Sequence, residues 1–116
     1  MIFVAEDELL IALLYKHFFE KKGFMVLGPF TTGQEAIQNF DSNGCKLALL
    51  DIQLEDKVSG IEVAEHIRKH SDIPIIFTTG NEAKLTIAKS EHISNVHVVP
   101  KPVDFQKIME ILEKSL

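Results

Sequence analysis

The chain has 116 residues, of which 46% are hydrophobic and 25% charged, the composition of one ordinary folded domain. Its 12 basic and 17 acidic residues give a net charge of −5, which argues against the clustered positive surface that nucleic-acid binding needs. Cys45 is the only cysteine, so an intramolecular disulfide and a cysteine-based zinc site are excluded.

We expect neither a membrane span nor a secretory signal in the N-terminal region. The longest apolar run, residues 9–15, is far shorter than the ~20 residues that cross a bilayer. Three acidic residues precede this run, where a secretory signal would carry basic ones. We therefore expect one cytoplasmic domain, residues 1–116, that binds neither membranes nor nucleic acid directly.

Short apolar runs alternate with helical patterns along the whole chain. The runs predict five strands, at residues 2–5, 24–27, 46–50, 74–77 and 96–99. The helical patterns cover residues 7–22, 32–40, 60–67, 82–90 and 104–112. Each connection is too long for a hairpin and long enough for a helical crossover, so the sheet should be parallel. The sequence therefore predicts a doubly wound α/β fold.

Several local signals support these boundaries. Gly28 and Pro29 are predicted to end the second strand, Thr32 and Glu35 form a capping box, and Asp104 is placed to cap the last helix. In the first helix, six large apolar residues predict one wide face that packs on the sheet: Leu9, Leu10, Leu13, Leu14, Phe18 and Phe19.

Ligands of doubly wound sheets bind beyond the carboxyl ends of the strands. Polar residues follow four of the five strands there: Glu6 and Asp7, Asp51, Thr78 and Thr79 with Gly80, and Lys101 with Pro102. For Asp7 alone, a helix cap is the simpler interpretation. Acids that gather in one place, however, need a cation to offset their repulsion, and oxygen ligands without histidine or cysteine suit Mg²⁺. The set predicts a site for a metal and an anion together.

Five segments in order resemble the receiver domains of two-component response regulators. They are FVAED ending at Asp7, LALLDIQL around Asp51, SGIEVAEHIR from Ser59, IPIIFTTG ending at Gly80 and PKP at 100–102. The resemblance covers the whole chain at spacings similar to those of the family. It implies a flavodoxin-like strand order, 2-1-3-4-5.

The resemblance also implies roles for the residues of the site. Asp51 would accept a phosphoryl group from a phosphohistidine, and Thr79 and Lys101 would contact the phosphoryl oxygens. Four ligands would hold Mg²⁺: Glu6, Asp7, Asp51 and the backbone carbonyl of Gln53. Gln53 and Asn81 match positions that tune hydrolysis of the aspartyl phosphate, and Lys101–Pro102 matches a cis peptide.

As a receiver, the chain would be a signalling phosphoacceptor and not an enzyme with a separate substrate. It would catalyse only its own phosphoryl transfer and a slow autodephosphorylation. The partner implied is a sensor histidine kinase or a histidine phosphotransfer protein. The resemblance leaves open whether the domain forms a homodimer.

The chain departs from the family pattern at three places. Glu6 replaces the commoner Asp, and the loop between Asp51 and Gly60 lacks the usual proline and is longer. Val98 stands where the family has a Tyr or Phe that changes rotamer on activation, a change that a stiff β-branched side chain cannot reproduce. An atypical subgroup with an F-A-T-G-Y motif also lacks this aromatic residue.

Val98 keeps a second hypothesis open: a degenerate receiver that works as a docking module without phosphorylation. Two other classes are disfavoured. An aspartyl phosphatase needs a second acid where Gln53 stands, and a flavin-nucleotide site would be repelled by the acidic residues 6–8.

Overall fold

Strands and helices alternate along the chain in a computed structural model that describes residues 1–80 and 83–116. The strands are β1 Ile2–Ala5, β2 Val26–Phe30, β3 Leu47–Asp51, β4 Ile75–Thr79 and β5 Val96–Pro100. The helices are α1 Leu9–Lys21, α2 Gly33–Asn39, α3 Gly60–Arg68, α4 Ala83–Lys89 and α5 Phe105–Ser115. Asn81 and the predicted helix start at Glu82 lie outside the described residues. Among the described helices, none combines the length and the apolar character that a membrane span needs.

The strands form one parallel sheet in the order β2-β1-β3-β4-β5. This order confirms the predicted doubly wound α/β fold. The strand order reverses between β1 and β3, so the carboxyl ends of these two neighbours flank the place where such folds bind ligands.

Helices cover both faces of the sheet, and each face has its own apolar core. Residues of β1, β3 and β4 alternate between the two cores, because successive side chains of a strand point to opposite faces. Phe3, Leu50 and Phe77 lie in the core that contains α3, while Val4, Leu49 and Ile76 lie in the core that contains α1 and α5. Double coverage explains why the central strands are continuous apolar runs.

The strands reach further toward the site than the apolar runs predicted. Asp51 still pairs with Thr78, and Thr79 with Pro100, so these polar residues belong to the strands themselves. Their backbones are therefore held by the hydrogen bonds of the sheet, not by a loop.

The predicted end of the second strand at Gly28 and Pro29 is wrong. The strand continues to Phe30, whose carbonyl accepts a hydrogen bond from the Glu6 N–H at 2.9 Å. Edge strands tolerate proline, and the register of β2 shifts at this point. Gly28 has a φ of +108°, and a Cβ there would lie 2.6 Å from the Val4 carbonyl oxygen.

The predicted apolar face of α1 is wrong for its four leucines and confirmed for Phe18 and Phe19. The helix packs on the sheet through Ala12, Tyr15 and Phe19, with Phe18 half-buried beside them. Four leucines instead point toward solvent and are 48–78% exposed: Leu9, Leu10, Leu13 and Leu14. Apolar residues lie on most sides of this helix, so the periodicity of the sequence is compatible with two different buried faces. The structure buries the face that carries the small Ala12 and the aromatic rings.

Other local predictions are confirmed. The Thr32 hydroxyl accepts the Glu35 N–H at 3.1 Å, and the Asp104 carboxylate accepts the Gln106 N–H at 3.0 Å. In contrast, α1 begins after Glu8 and has no side-chain cap, so the helix-cap interpretation of Asp7 is wrong.

Candidate functional site

The carboxyl ends of the central strands surround a cavity of about 340 Å³. Its lining includes five of the predicted site residues: Asp7, Asp51, Gln53, Thr79 and Lys101. Glu6, the sixth, lies behind this lining and is fully buried. The structure therefore brings all six predicted site residues to one edge of the sheet.

Lys101 bridges two carboxylates from different strands. Its Nζ lies 3.1 Å from Asp51 Oδ2 and 3.1 Å from Glu6 Oε1. Its backbone N–H donates to the Thr79 carbonyl at 2.7 Å, which fixes the start of the side chain. Burial alone would lower the pKa of Lys101, but the hydrogen bond with Asp51 and the charges of the two carboxylates outweigh it and raise the pKa. The peptide that follows, Lys101–Pro102, is cis, as predicted.

The Glu6 side chain points inward, and hydrogen bonds fix both its backbone and its carboxyl group. Its N–H donates to the Phe30 carbonyl, and its Oε2 accepts the Glu8 N–H at 3.1 Å. Burial raises the pKa of Glu6 to about 8, and a side-chain hydrogen bond with Asp51 adds to the rise. Burial therefore favours the protonated form of the Glu6 carboxyl group as long as no divalent cation is bound.

Asp51 sits at the centre of the site and is almost fully buried. Its Oδ1 accepts the Gln53 N–H at 3.2 Å, while its Oδ2 faces the Lys101 ammonium. The α3 helix begins directly against its backbone, since a Cβ at Gly60 would lie only 2.1 Å from the Asp51 carbonyl oxygen. Backbone contacts on both sides thus fix the position of the carboxylate.

The acidic residues fit a hard divalent cation. Within the described part of the chain, carboxylate oxygens of Glu6, Asp7 and Glu8 lie within 4.8 Å of one another. Oxygen donors without histidine or sulfur are the set that Mg²⁺ prefers. In addition, Glu6 Oε1 is buried and has no hydrogen-bond partner, so a cation could use it. Glu8 was not among the predicted ligands, although the acidic run of residues 6–8 was the signal for it.

The hydroxyl groups of β4 differ in their surroundings. Thr79 is nearly buried and lines the cavity, as the sequence predicted. Thr78 points to the opposite face of the sheet, where its hydroxyl donates to the Leu50 carbonyl at 3.5 Å.

Val98 is half-buried beneath α4. It lines a smaller cavity of about 190 Å³ together with residues of α4 and of the segment before β5, among them Ile87, Ser90 and Ile93. No aromatic side chain lines this cavity within the described residues. The resemblance to the atypical subgroup stays a prediction.

Comparison with known proteins relates this geometry to a family. Residues 2–113 match the response regulator receiver domain family. The regulatory protein VanRc of Enterococcus gallinarum is 36% identical over 115 residues, which are 99% of this chain and 49% of VanRc. The phyllosphere-induced regulator PhyR of Methylorubrum extorquens is 28% identical over 116 residues, 99% of this chain and 43% of PhyR. The chain thus spans about half the length of these curated relatives or less.

Solved structures show the same fold. The signal receiver domain of a modulated diguanylate cyclase from Desulfovibrio desulfuricans superposes with a TM-score of 0.86 at 27% identity, covering 98% of this chain and 90% of that one. The receiver domain of Ssk1 from Saccharomyces cerevisiae, crystallised with the histidine phosphotransfer protein Ypd1, gives a TM-score of 0.82 at 20% identity over 98% and 86% of the two chains. By its sequence match and by the order of its strands, the chain belongs to the receiver domain family of two-component response regulators.

Proposed function

We propose that Asp51 is the phosphoacceptor of this receiver and that Lys101 is the cation that holds the transferred phosphoryl group. The observation that carries the proposal is the position of Lys101 Nζ, 3.1 Å from Asp51 Oδ2 at the wall of an open cavity. A structural ion pair would not need a cavity beside it. A transferred phosphoryl group would occupy that space.

In the reaction, an oxygen of the Asp51 carboxylate attacks the phosphorus atom of a phosphohistidine. The new O–P bond forms as the P–N bond breaks, and the electron pair of that bond returns to the imidazole ring. Lys101 then pairs with one phosphoryl oxygen, and the Thr79 hydroxyl donates to another. Catalysis of this kind is mostly positioning and charge neutralisation, which the backbone contacts of Asp51 supply.

Mg²⁺ would be held by Glu6, Asp7, Asp51 and the carbonyl of Gln53, with Glu8 within reach, and would neutralise charge between the carboxylate and the phosphoryl oxygens. Mg²⁺ would favour the ionised form of Glu6, which burial disfavours by raising the pKa to about 8. Loss of the phosphoryl group to water would reset the site. The chain would therefore act as a signalling phosphoacceptor with slow autodephosphorylation.

The phosphodonor would be a histidine kinase or a histidine phosphotransfer protein in the cytoplasm. The Ssk1 receiver, which has this fold, is known in complex with such a protein. We assign the docking surface to the leucine face, defined as Leu9, Leu10, Leu13 and Leu14. It begins one residue after Glu8, which lines the cavity, so a donor seated on it would present its histidine at Asp51.

The test is incubation with acetyl phosphate and Mg²⁺ followed by mass spectrometry of the intact protein. We expect one added phosphoryl group in the wild type and none in Asp51→Asn. A matched control is Asp41→Asn, which changes an exposed acid far from the site. A phosphorylated Asp51→Asn protein, or a wild type that takes up nothing, would refute the assignment.

A degenerate docking module remains the second candidate, because Val98 replaces the aromatic residue that receivers use to report phosphorylation. Such a module need not bind Mg²⁺. The phosphoacceptor hypothesis predicts that Mg²⁺ at ten times its Kd stabilises the fold by about 1.4 kcal/mol. Thermal melts with and without Mg²⁺ distinguish the two.

A further inference from the structure

Two unpaired polar atoms are buried behind the site. Among the described residues, only three buried side-chain nitrogen or oxygen atoms lack a hydrogen-bond partner: Glu6 Oε1, Tyr15 Oη and Arg68 Nε. The first is an acceptor and the second carries a proton that it can donate. Lys101 Nζ lies 3.1 Å from Glu6 Oε1, but this contact is an ion pair without hydrogen-bond geometry. Buried groups of this kind are rare, because each forgoes the hydrogen bond it would make in water.

Glu6 and Tyr15 lie on the same face of the sheet. Tyr15 is in the middle of α1, only 2% exposed, and packs in one core with Val4 and Ile76. Because strand side chains alternate, Glu6 projects to the same side as Val4, and Thr78 to the same side as Ile76. The phenol therefore faces the inner end of the acidic site.

The surroundings of the phenol keep it a donor. Burial raises the pKa of Tyr15 to about 12, with the negative charge of Glu6 as the next cause. The Tyr15 hydroxyl consequently keeps its proton at every pH at which a receiver works. Its ring is fixed by an edge contact with Phe105, at 6.0 Å between the ring centroids.

We propose that Tyr15 is a positioning residue for Glu6: its hydroxyl donates to Glu6 Oε1 when the phosphoryl group on Asp51 draws Lys101 away. In the unloaded site, the Lys101 ammonium forms ion pairs with the carboxyl groups of both Glu6 and Asp51. A phosphoryl group competes for that ammonium, and once the ammonium is drawn away the buried Glu6 Oε1 is free to accept a hydrogen bond. Tyr15 Oη is the buried donor on that side, with the Thr78 hydroxyl as its polar neighbour in the unloaded site, and it then donates to Glu6 instead.

This inference rests on the proposed function and extends it to α1. The helix that carries Tyr15 also carries the leucine face, on its opposite side. A hydrogen bond formed inside the molecule on phosphorylation would thus change the helix on which the phosphodonor is proposed to dock. This link between Asp51 and α1 runs along the face of the sheet opposite to the one on which Val98 packs.

The chain contains a built-in probe for the test. Tyr15 is its only tyrosine, and it has no tryptophan, so its near-ultraviolet absorption and fluorescence above the phenylalanine band come from this one ring. The site is loaded with Mg²⁺ and beryllofluoride, a mimic of the phosphoryl group. We expect the tyrosine band to shift on loading in the wild type and to stay unchanged in Asp51→Asn.

Tyr15→Phe removes the hydroxyl and keeps the ring. We expect an unloaded protein of equal or higher Tm, since an unpaired buried hydroxyl is lost, together with about tenfold weaker beryllofluoride binding. The control is Phe19→Leu, which perturbs packing on the same face of α1. It should lower the Tm and leave the beryllofluoride affinity unchanged.

The outcomes separate this inference from the proposed function. If acetyl phosphate labels the wild type but Tyr15→Phe binds beryllofluoride as tightly as the wild type, the role of Tyr15 is refuted and the phosphoacceptor stands. A tyrosine band that does not respond to loading refutes it as well. If the wild type takes up no phosphoryl group, the proposed function and the role of Tyr15 are both refuted.

Discussion

Lys101 Nζ lies 3.1 Å from Asp51 Oδ2 although β4 separates β3, which carries Asp51, from β5, which ends just before Lys101. Neighbouring strands are ~4.8 Å apart, so the side chain bridges two spacings, roughly 10 Å. The same ammonium lies 3.1 Å from Glu6 Oε1, which follows β1. One long side chain thus links the ends of strands on both sides of the site, which a serine or threonine could not do.

Replacing Lys101 by methionine should destabilise the unloaded protein by about 2 kcal/mol, because two buried carboxyl groups lose their shared cation. Mg²⁺ should restore part of this loss, since it supplies positive charge to the same oxygens. Urea unfolding with and without Mg²⁺ measures both effects. Lys107→Met, at an exposed position on α5, is the control and should match the wild type. A Lys101→Met protein as stable as the wild type in chelator would show that the ion pair contributes nothing.

The unloaded protein should lose stability as the pH rises. The pKa of Glu6 is raised from 4.5 to about 8 in the folded state, chiefly by burial. Between these values the folded protein holds a proton that the unfolded chain releases, so the free energy of unfolding falls by at most about 1.4 kcal/mol per pH unit. Above a pH of about 8 this contribution no longer changes.

Glu6→Gln isolates this effect, since the amide keeps the shape of the side chain and does not titrate. In chelator, its free energy of unfolding should vary less with pH than that of the wild type, and it should be the more stable protein near pH 8. In Mg²⁺ the order should reverse, because the metal binds only the ionised carboxylate. Parallel pH slopes for the two proteins in chelator would contradict the raised pKa of Glu6.

The sequence was sufficient for the fold because its main signals are local. Continuous apolar strands, long connections and the order of the polar residues after the strands led to a parallel sheet with one functional edge. The resemblance supplied the strand order, and the structure confirms it. The convergence of Glu6, Asp51 and Lys101 then follows from topology alone.

Features that depend on contacts between residues far apart in the sequence could not be predicted from these local signals. Periodicity could not decide which stripe of α1 is buried, because Leu10 and Tyr15 belong to two equally apolar faces. The α2 helix gains a second cap from Asp56, whose carboxylate accepts the N–H groups of Gly33 and Gln34 at 2.8 and 3.0 Å. Nothing near α2 in the sequence points to a residue on the loop after β3.

Gly60→Ala should disturb the site from outside the cavity. A Cβ at this position would lie 2.1 Å from the Asp51 carbonyl oxygen, a backbone atom that no rotamer change can move away. We expect a destabilisation of about 2 kcal/mol or more and slower labelling by acetyl phosphate. Gly80→Ala is the matched control for stability, since its Cβ would meet nothing within 4 Å. Equal Tm values for the two variants would mean that α3 can move away from Asp51 at little cost.

The leucine face can be tested apart from the chemistry of the site. Leu10 and Leu14 are 78% and 59% exposed, so Leu10→Glu and Leu14→Glu should change the free energy of unfolding by less than about 0.5 kcal/mol. Both variants should accept a phosphoryl group from acetyl phosphate at the wild-type rate. Transfer from a phosphorylated histidine phosphotransfer protein should slow by about tenfold or more, because a charge would be buried against the apolar surface of the donor.

Met25→Glu provides the control for this comparison. Met25 is 71% exposed in the turn that follows α1, at the end of the helix away from the cavity, and its substitution should leave both rates unchanged. If the two leucine variants also react normally with the protein donor, docking takes place elsewhere and the leucine face has another role. If they slow the reaction with acetyl phosphate as well, the substitutions act on Asp51 through the start of α1. Only a loss confined to the protein donor assigns the face to docking.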